Sequence, residues 1–205
     1  MEDERPNFEA ALRGHRAKER REQILDAASV CFAREGFHGA SIAQISKLSG
    51  MSPGHIYHFF ENKEAIVSGI VQRMATRWLE LLQPYPTDED VVSTIQYRAR
   101  VAAESCTQRE FAGLWLEVLA ETARNPRMAA AVSAADQRVR EALKEQVQFI
   151  RAQRGLPEAR NVNAIVEVVF AMYEGLTNRM IISSDFDLDA AFEVLLVGTR
   201  AALES

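Results

Sequence analysis

The side chains best suited to exchanging hydrogen bonds with a partner are concentrated in the N-terminal third of the chain. His55, Tyr57 and His58 lie close together there, and no histidine occurs after them. A neutral imidazole can exchange hydrogen bonds with the edge of a base, which is the role we predict for His55. Tyr57 and His58 are better placed for phosphate oxygens, and Lys63 would add an ammonium to the amides of a helix N-terminus, where anions bind. This chemistry is that of double-stranded DNA recognition through the major groove.

Two other chemistries are weaker candidates. His55 and His58 share a helical spacing that suits metal ligands, but no cysteine or carboxylate cluster accompanies them, so we expect no metal and no cofactor. Glu117 and Glu121 could act as acid and base, yet they lie one helical turn apart beside an apolar stripe. The sequence also lacks a phosphate-binding loop, a nucleophile elbow and a metal motif, which disfavours an enzyme.

The predicted DNA contacts lie on two short helices joined by a glycine turn, which is a helix-turn-helix. Ser41 and Gln44 form a capping box that starts the first helix, and Gly50 ends it. Ser52 and Pro53 start the second, because proline lacks only an N–H that the first turn leaves unbonded. A role in the cap alone is the favoured alternative for Ser41 and Gln44. The full set of predicted contacts is Ser41, Gln44, Ser52, Pro53, Gly54, His55, Tyr57, His58 and Lys63.

An earlier helix supplies the surface on which the second short helix packs. It follows a basic run between Arg13 and Arg21 and ends before Gly36. Packing of the two apolar faces turns His55 and His58 outward. These faces are formed by Ile24, Ala28, Cys31 and Phe32 on the earlier helix and by Ile56, Phe59 and Phe60 on the later one. We therefore predict a disordered arm over residues 1–12 and a DNA-binding domain over residues 13–62.

This stretch resembles the TetR family of transcriptional regulators over about 45 residues without a gap. The resemblance implies a three-helix DNA-binding head, a divergent ligand-binding body and a dimer formed by the last two long helices. It implies that His55 helps to choose bases. Pro53 and Phe59 depart from the family pattern, and Phe59 cannot bond a phosphate. The matching residues are 21–28, Phe32, Gly36, Phe37, Ser41, Ile42, Ile45, 49–52, Gly54, Ile56, 57–60 and 62–64.

Residues 63–205 are predicted to form the larger, ligand-binding and dimerisation domain of an all-α protein with about nine helices. Asn62 can cap a fourth helix that ends near Pro84, and Thr87 or Asp88 can cap the next. The eighth helix, from Asn161 to about Ser184, is apolar almost all round, so one side can face the domain core and another a partner subunit. The ninth helix adds a further apolar stripe, and the last two helices are predicted to form a two-fold homodimer interface.

A small-molecule effector is the second predicted partner. Large apolar or aromatic side chains with a few polar tips are typical of inducer pockets, although core packing is the commoner role for any one of them. The candidate ligand-binding residues are Met74, Trp78, Tyr97, Trp115, Met172, Tyr173 and Asn178.

The distribution of charge and hydropathy indicates which end of the chain binds DNA and where in the cell the protein is located. The net charge is −5, but residues 10–63 carry more Lys and Arg than Asp and Glu, whereas the remainder reverses this balance. The positive end therefore coincides with the predicted DNA-binding domain. We find no apolar run long enough for a membrane span and no signal peptide, so we expect a cytoplasmic protein without a membrane partner.

The sequence thus predicts a ligand-responsive transcriptional regulator, most simply a repressor that binds a pseudo-palindromic operator as a dimer and is released by a small molecule. A ligand-independent DNA-binding regulator and an activator are the alternatives. The large apolar body disfavours the first alternative, and the position of the operator decides the second.

Overall fold

The computed structural model describes residues 5–83, 91–183 and 185–204, and these ranges are all-α, as the sequence predicts. The helices in them are α1 (Arg5–Gly39), α2 (Ile42–Ser49), α3 (Pro53–Phe59), α4 (Lys63–Leu81), α5 (Val91–Thr107), α6 (Arg109–Thr122), α7 (Pro126–Gln153), α8 (Val162–Ile182) and α9 (Leu188–Glu204). The helix end expected near Pro84 and the cap expected at Thr87 or Asp88 lie outside the described residues.

The chain divides into two compact units, which we name the head unit (Met1–Ile70) and the body unit (Val71–Ser205). The division falls within α4, so this helix contributes residues to both units. The boundary between the units, after Ile70, lies beyond residue 62, the predicted end of the DNA-binding domain. The functional division into residues 13–62 and 63–205 remains a prediction.

Helical backbone begins at Arg5, within the segment for which we predicted a disordered arm. For residues 5–12 that prediction is wrong. Pro6 is tolerated in a first turn, and the alanines and leucine that follow are strong helix formers, so the segment extends the helix that comes after it.

The head unit is held together by close contact of α1 with both α2 and α4. A Cβ atom at Gly69 of α4 would lie 3.0 Å from Cδ2 of Leu25 and 3.0 Å from Cε1 of Phe60. Only glycine allows α4 to approach these side chains so closely. The guanidinium of Arg21 lies 5.1 Å from the centre of the Phe60 ring, and Leu25 and Phe60 are both buried. Phe60 is thus fixed directly after α3.

The turn between α2 and α3 is built from the residues that the sequence indicates. Gly50 has φ 68° and ψ 13°, the left-handed conformation that ends α2. The Ser52 hydroxyl then accepts a hydrogen bond from the His55 amide at 3.2 Å, with Pro53 in the first turn. Both helix ends therefore satisfy backbone groups locally.

The body unit packs α5, α7, α8 and α9 around one apolar core. Its buried members are Ala99, Ala102, Ala103, Val147, Ile150, Ala159, Ile165, Val166, Val169, Tyr173, Phe192 and Leu195. Small residues dominate on α5, whereas α8 contributes the larger ones, so α5 and α8 come into close contact. No helix among the described residues is long and apolar enough to cross a membrane.

The left-handed conformation of Gly50 gives a first prediction. We expect Gly50→Ala to destabilise the protein by about 1–2 kcal/mol, because a Cβ atom disfavours this backbone conformation. A Cβ atom at Gly50 would meet nothing within 4 Å, so the cost is conformational and not steric. Thermal unfolding measures it.

Gly54→Ala is the matched control for this prediction. Gly54 lies inside α3 and is equally open, so alanine there should be neutral or stabilising. Equal melting of wild type and Gly50→Ala would contradict the proposed role of the turn.

Candidate DNA-binding face and effector cavity

Helix α3 separates its apolar and polar residues as the sequence predicts. Ile56 is fully buried, whereas the Tyr57 side chain is 52% exposed and His58 is also exposed. His55 is half-buried and lies in the first turn of the helix. The face of α3 away from the core therefore presents two imidazoles and a phenol, which can donate to and accept from DNA.

Phe59 does not lie in the core, contrary to our prediction. It is half-buried, and its ring centre lies 5.5 Å from that of His55 and 5.3 Å from that of His58. Only Ile56 and Phe60 of the three predicted apolar residues are buried. The reason is helical phase, since Phe59 follows His55 by one turn and shares its side of the helix. Phe59 thus contacts both imidazole rings.

The side chains at the helix starts are engaged in capping. Ser41 Oγ accepts from the Gln44 amide at 3.2 Å, and the Ser41 amide donates to Gln44 Oε1 at 2.7 Å. This is the predicted capping box, and it favours the structural role that we gave as the alternative for both residues. Ser52 is occupied in the same way, while Pro53 and Gly54 are exposed beside it.

Lys63 lies where α4 begins, but its ammonium is directed at the end of α1. Nζ donates to the carbonyl oxygens of Phe37 at 2.7 Å and Ala40 at 2.9 Å, and it lies 4.7 Å from the centre of the Phe37 ring. The two carbonyl groups follow Gly36, whose backbone (φ 72°, ψ 169°) interrupts α1, and Lys63 bonds to both of them. Lys63 is therefore a structural clamp, and its predicted phosphate contact would use its remaining donor.

Two side chains that the sequence analysis missed also hold the turn. Gln23 Nε2 of α1 donates to the Ser49 carbonyl at 2.8 Å, and the Ser46 hydroxyl donates to the Met51 carbonyl at 2.6 Å. The polar character of these residues is the only signal, because helical periodicity does not reveal which carbonyl a side chain reaches.

The body unit contains a cavity of about 580 Å³, within the range of small-molecule sites. Helices α4 to α9 all contribute to it. Its aromatic lining consists of Trp78, Phe111, Trp115, Phe170 and Tyr173, and the ring centres of Trp78 and Tyr173 lie 6.1 Å apart in an edge-to-face arrangement. Alanine, valine and leucine side chains form most of the remainder.

Four of the seven predicted ligand-binding residues line this cavity: Met74, Trp78, Trp115 and Tyr173. Tyr97, Met172 and Asn178 do not line it. Tyr97 is 69% exposed, because Ala99 and Ala102 occupy the inner face of α5. Asn178 is exposed beside Thr177, which faces inward, and Met172 lies against Gly198 of α9. These three residues were predicted from their type alone. Their positions around the helices place them outside the cavity lining.

Burial shifts the titration of several groups in the cavity wall. Desolvation raises the pKa of the Cys106 thiol to about 12 and raises the pKa of the Tyr173 phenol. Desolvation, followed by repulsion from Asp136, raises the pKa of the Glu174 carboxyl. The thiol and the phenol are therefore neutral at physiological pH.

Comparison with known protein families gives a match in each unit. Residues 24–70 match the bacterial regulatory proteins of the tetR family, and residues 99–203 match the C-terminal part of BetI-type transcriptional repressors.

Among individual relatives, the HTH-type transcriptional regulator UidR of Escherichia coli K12 is 35% identical over 118 residues, which are 56% of this chain and 57% of UidR. The chain thus matches little more than half the length of this relative. The structure of Salmonella enterica GusR is similar with a TM-score of 0.75 and 23% identity, covering 91% of this chain and 96% of GusR. FadR of Bacillus subtilis in complex with stearoyl-CoA has a TM-score of 0.70 and 19% identity, covering 90% and 97%.

The fold and these matches define a helix-turn-helix transcriptional regulator, a class distinct from enzymes. The C-terminal match alone spans half of the chain. This chain belongs to the TetR family.

The position of Lys63 gives a second prediction. Lys63→Met removes both hydrogen bonds to the carbonyl groups of Phe37 and Ala40, so we expect a loss of about 1–3 kcal/mol of stability. Lys18→Met, at an exposed position of α1, is the control and should melt like wild type. A lysine that served only to bind phosphate would leave the thermal midpoint unchanged.

Proposed function

We propose that this protein is a ligand-responsive repressor that binds a pseudo-palindromic operator as a homodimer and is released when a small molecule enters the body-unit cavity. The observation that carries the proposal is the presence, in one TetR-family chain, of a polar α3 face and a large apolar cavity. The match to BetI-type transcriptional repressors supports repression over activation.

The exposed side of α3 supports direct reading of DNA. His55 would face base edges, while Tyr57 and His58 would contact phosphates on either side of the groove. Because Phe59 contacts both imidazole rings, we propose that it sets their orientation and takes no part in phosphate binding. This assigns a role to the residue that departs from the family pattern.

Exposed apolar residues on the last two helices support the dimer. Val194 and Val197 of α9 are 73% and 70% exposed, and Val168 of α8 is 50% exposed. Small exposed residues continue the two stripes, with Ala171 on α8 and Ala201 on α9. Since α8 and α9 contact each other, the stripes suit a four-helix interface about a two-fold axis. Such a dimer would present two copies of α3 to half-sites about 34–36 Å apart.

We propose that helix α4 couples ligand binding to operator binding. Its first residues belong to the head unit, and its later residues, among them Met74 and Trp78, line the cavity. A ligand that favours one position of α4 would shift the heads toward an arrangement that does not fit the operator. A coupling of about 1–3 kcal/mol would change operator affinity about 5- to 150-fold. The bound stearoyl-CoA of the FadR structure is a precedent for ligand binding in this fold.

The DNA-binding proposal predicts different effects for a base-reading and a phosphate-binding residue. The operator, obtained from DNA upstream of the gene or by selection from random duplexes, is titrated by fluorescence anisotropy at several salt concentrations. We expect His55→Ala to weaken operator binding by about 1–3 kcal/mol while leaving non-specific binding nearly unchanged. Tyr57→Phe should weaken both, because it removes a hydroxyl that contacts phosphate.

Tyr97→Phe is the matched control, since it removes the hydroxyl of a tyrosine that is at least as exposed but lies on α5. Equal effects of Tyr57→Phe and Tyr97→Phe would contradict the assignment of the α3 face.

The dimer proposal is tested by placing charges on the α9 stripe. We expect Val194→Glu with Val197→Glu to weaken dimerisation at least about a hundredfold, because unpaired carboxylates would be buried against each other. Sedimentation velocity over a range of concentrations measures this. Tyr97→Glu introduces a charge at an exposed site on α5, outside the two stripes on α8 and α9, and it should leave the dimer intact. If the double variant sediments like wild type, this interface is excluded.

A further inference from the structure

Several polar side chains in the cavity wall already have partners within the protein. The Tyr173 hydroxyl donates to the Ala99 carbonyl at 3.3 Å, and Thr177 Oγ1 donates to the Tyr173 carbonyl at 3.2 Å. Thr122 Oγ1 donates to the Val118 carbonyl at 2.8 Å. The hydroxyl groups of these three residues therefore already have hydrogen-bond partners and need none from a ligand.

Two cavity-lining polar atoms differ from the rest. Gln146 on α7 and Thr199 on α9 are only 6% and 8% exposed, and both line the cavity. Among the described residues, the Gln146 Oε1 and Thr199 Oγ1 atoms are buried without a hydrogen-bond partner. A buried polar atom without a partner costs about as much as a lost hydrogen bond, so a ligand that supplies the missing bond gains that free energy.

The hydrogen-bonding capacity of the two atoms determines which ligand groups could bond to them. A glutamine Oε1 only accepts hydrogen bonds, so its partner must carry an O–H or N–H. A threonine hydroxyl can donate as well as accept, so a group with both capacities suits it best. The cavity wall is mostly apolar and aromatic, and its thiol and phenol are uncharged.

We propose that the effector of this chain is a predominantly apolar molecule carrying a hydroxyl or N–H group, and that Gln146 and Thr199 form the polar subsite that selects this group. The inference rests on the proposed function in taking the cavity as the effector site. Three charged residues also line the cavity: Asp136 is ion-paired with Arg140, Arg98 donates to the carbonyl oxygens of Leu81 and Gln83, and Glu174 is exposed, so these groups have other partners or solvent.

The test uses three biphenyl probes that differ at one position. 4-Hydroxybiphenyl can donate a hydrogen bond, 4-methoxybiphenyl keeps the oxygen without the donor, and biphenyl has neither. Binding is followed by quenching of the two tryptophans of the chain, Trp78 and Trp115, both of which line the cavity. We expect wild type to prefer 4-hydroxybiphenyl over both other probes by roughly 5- to 150-fold, the value of one buried hydrogen bond.

Two near-isosteric variants then assign the preference to the subsite. Gln146→Met and Thr199→Val should each reduce the preference for 4-hydroxybiphenyl and bind biphenyl at least as tightly as wild type does. Without ligand, Thr199→Val should melt at the same temperature as wild type or higher, because it removes an unsatisfied buried hydroxyl.

Thr177→Val is the matched control. Thr177 lines the same cavity, but its hydroxyl is bonded to the Tyr173 carbonyl, so this variant should keep the preference of wild type for the hydroxylated probe. Loss of the preference in Thr177→Val but not in Gln146→Met or Thr199→Val would overturn the assignment. Equal affinity of wild type for all three probes, or no binding of any, would overturn it as well.

Operator binding, measured in parallel, separates this inference from the proposed function. If 4-hydroxybiphenyl binds with the expected preference but leaves the operator complex intact, the subsite is supported and its role as effector site is not. If no probe binds while the protein still recognises its operator, the inference is wrong and the DNA-binding proposal stands.

Discussion

The arrangement of the head unit depends on backbone groups at helix ends being satisfied by nearby side chains. A seven-residue helix such as α3 has too few internal hydrogen bonds to persist alone, so its start and position must be fixed from outside. The Ser52 cap, the left-handed Gly50 and the Lys63 clamp on the end of α1 provide this. Because these contacts fix the backbone, the side chains on the outer face of α3 need no role in folding and are available to a partner.

The fold could be predicted largely from sequence because its strongest signals are local. Capping residues, glycine at a helix end and apolar repeats act over a few residues, and they gave the all-α class, the helix-turn-helix and the capping box of Ser41 and Gln44. The disordered arm was wrong for residues 5–12, since helix propensity outweighed the lack of an apolar stripe there. Phe59 was misplaced because hydrophobic type was given more weight than its position one turn after His55.

The cavity could be predicted less well, since it depends on how several helices pack together. Residue type correctly selected Trp78 and Trp115 but also selected Tyr97, which faces outward. Nothing in the sequence distinguishes Thr199, whose hydroxyl lacks a partner, from Thr177, whose hydroxyl bonds to a carbonyl one turn earlier. That difference arises only when α7, α8 and α9 are in place, and it determines which polar atoms are left for a ligand.

In the proposed mechanism, a ligand in the cavity and a bound operator each weaken the binding of the other. This coupling is tested most directly by measuring operator affinity with and without saturating 4-hydroxybiphenyl, and the affinity for 4-hydroxybiphenyl with and without saturating operator. We expect 4-hydroxybiphenyl and the operator to weaken each other's binding by the same factor, about 5- to 150-fold, because the coupling is reciprocal. Equal affinity of the probe for the free and the operator-bound protein would contradict it.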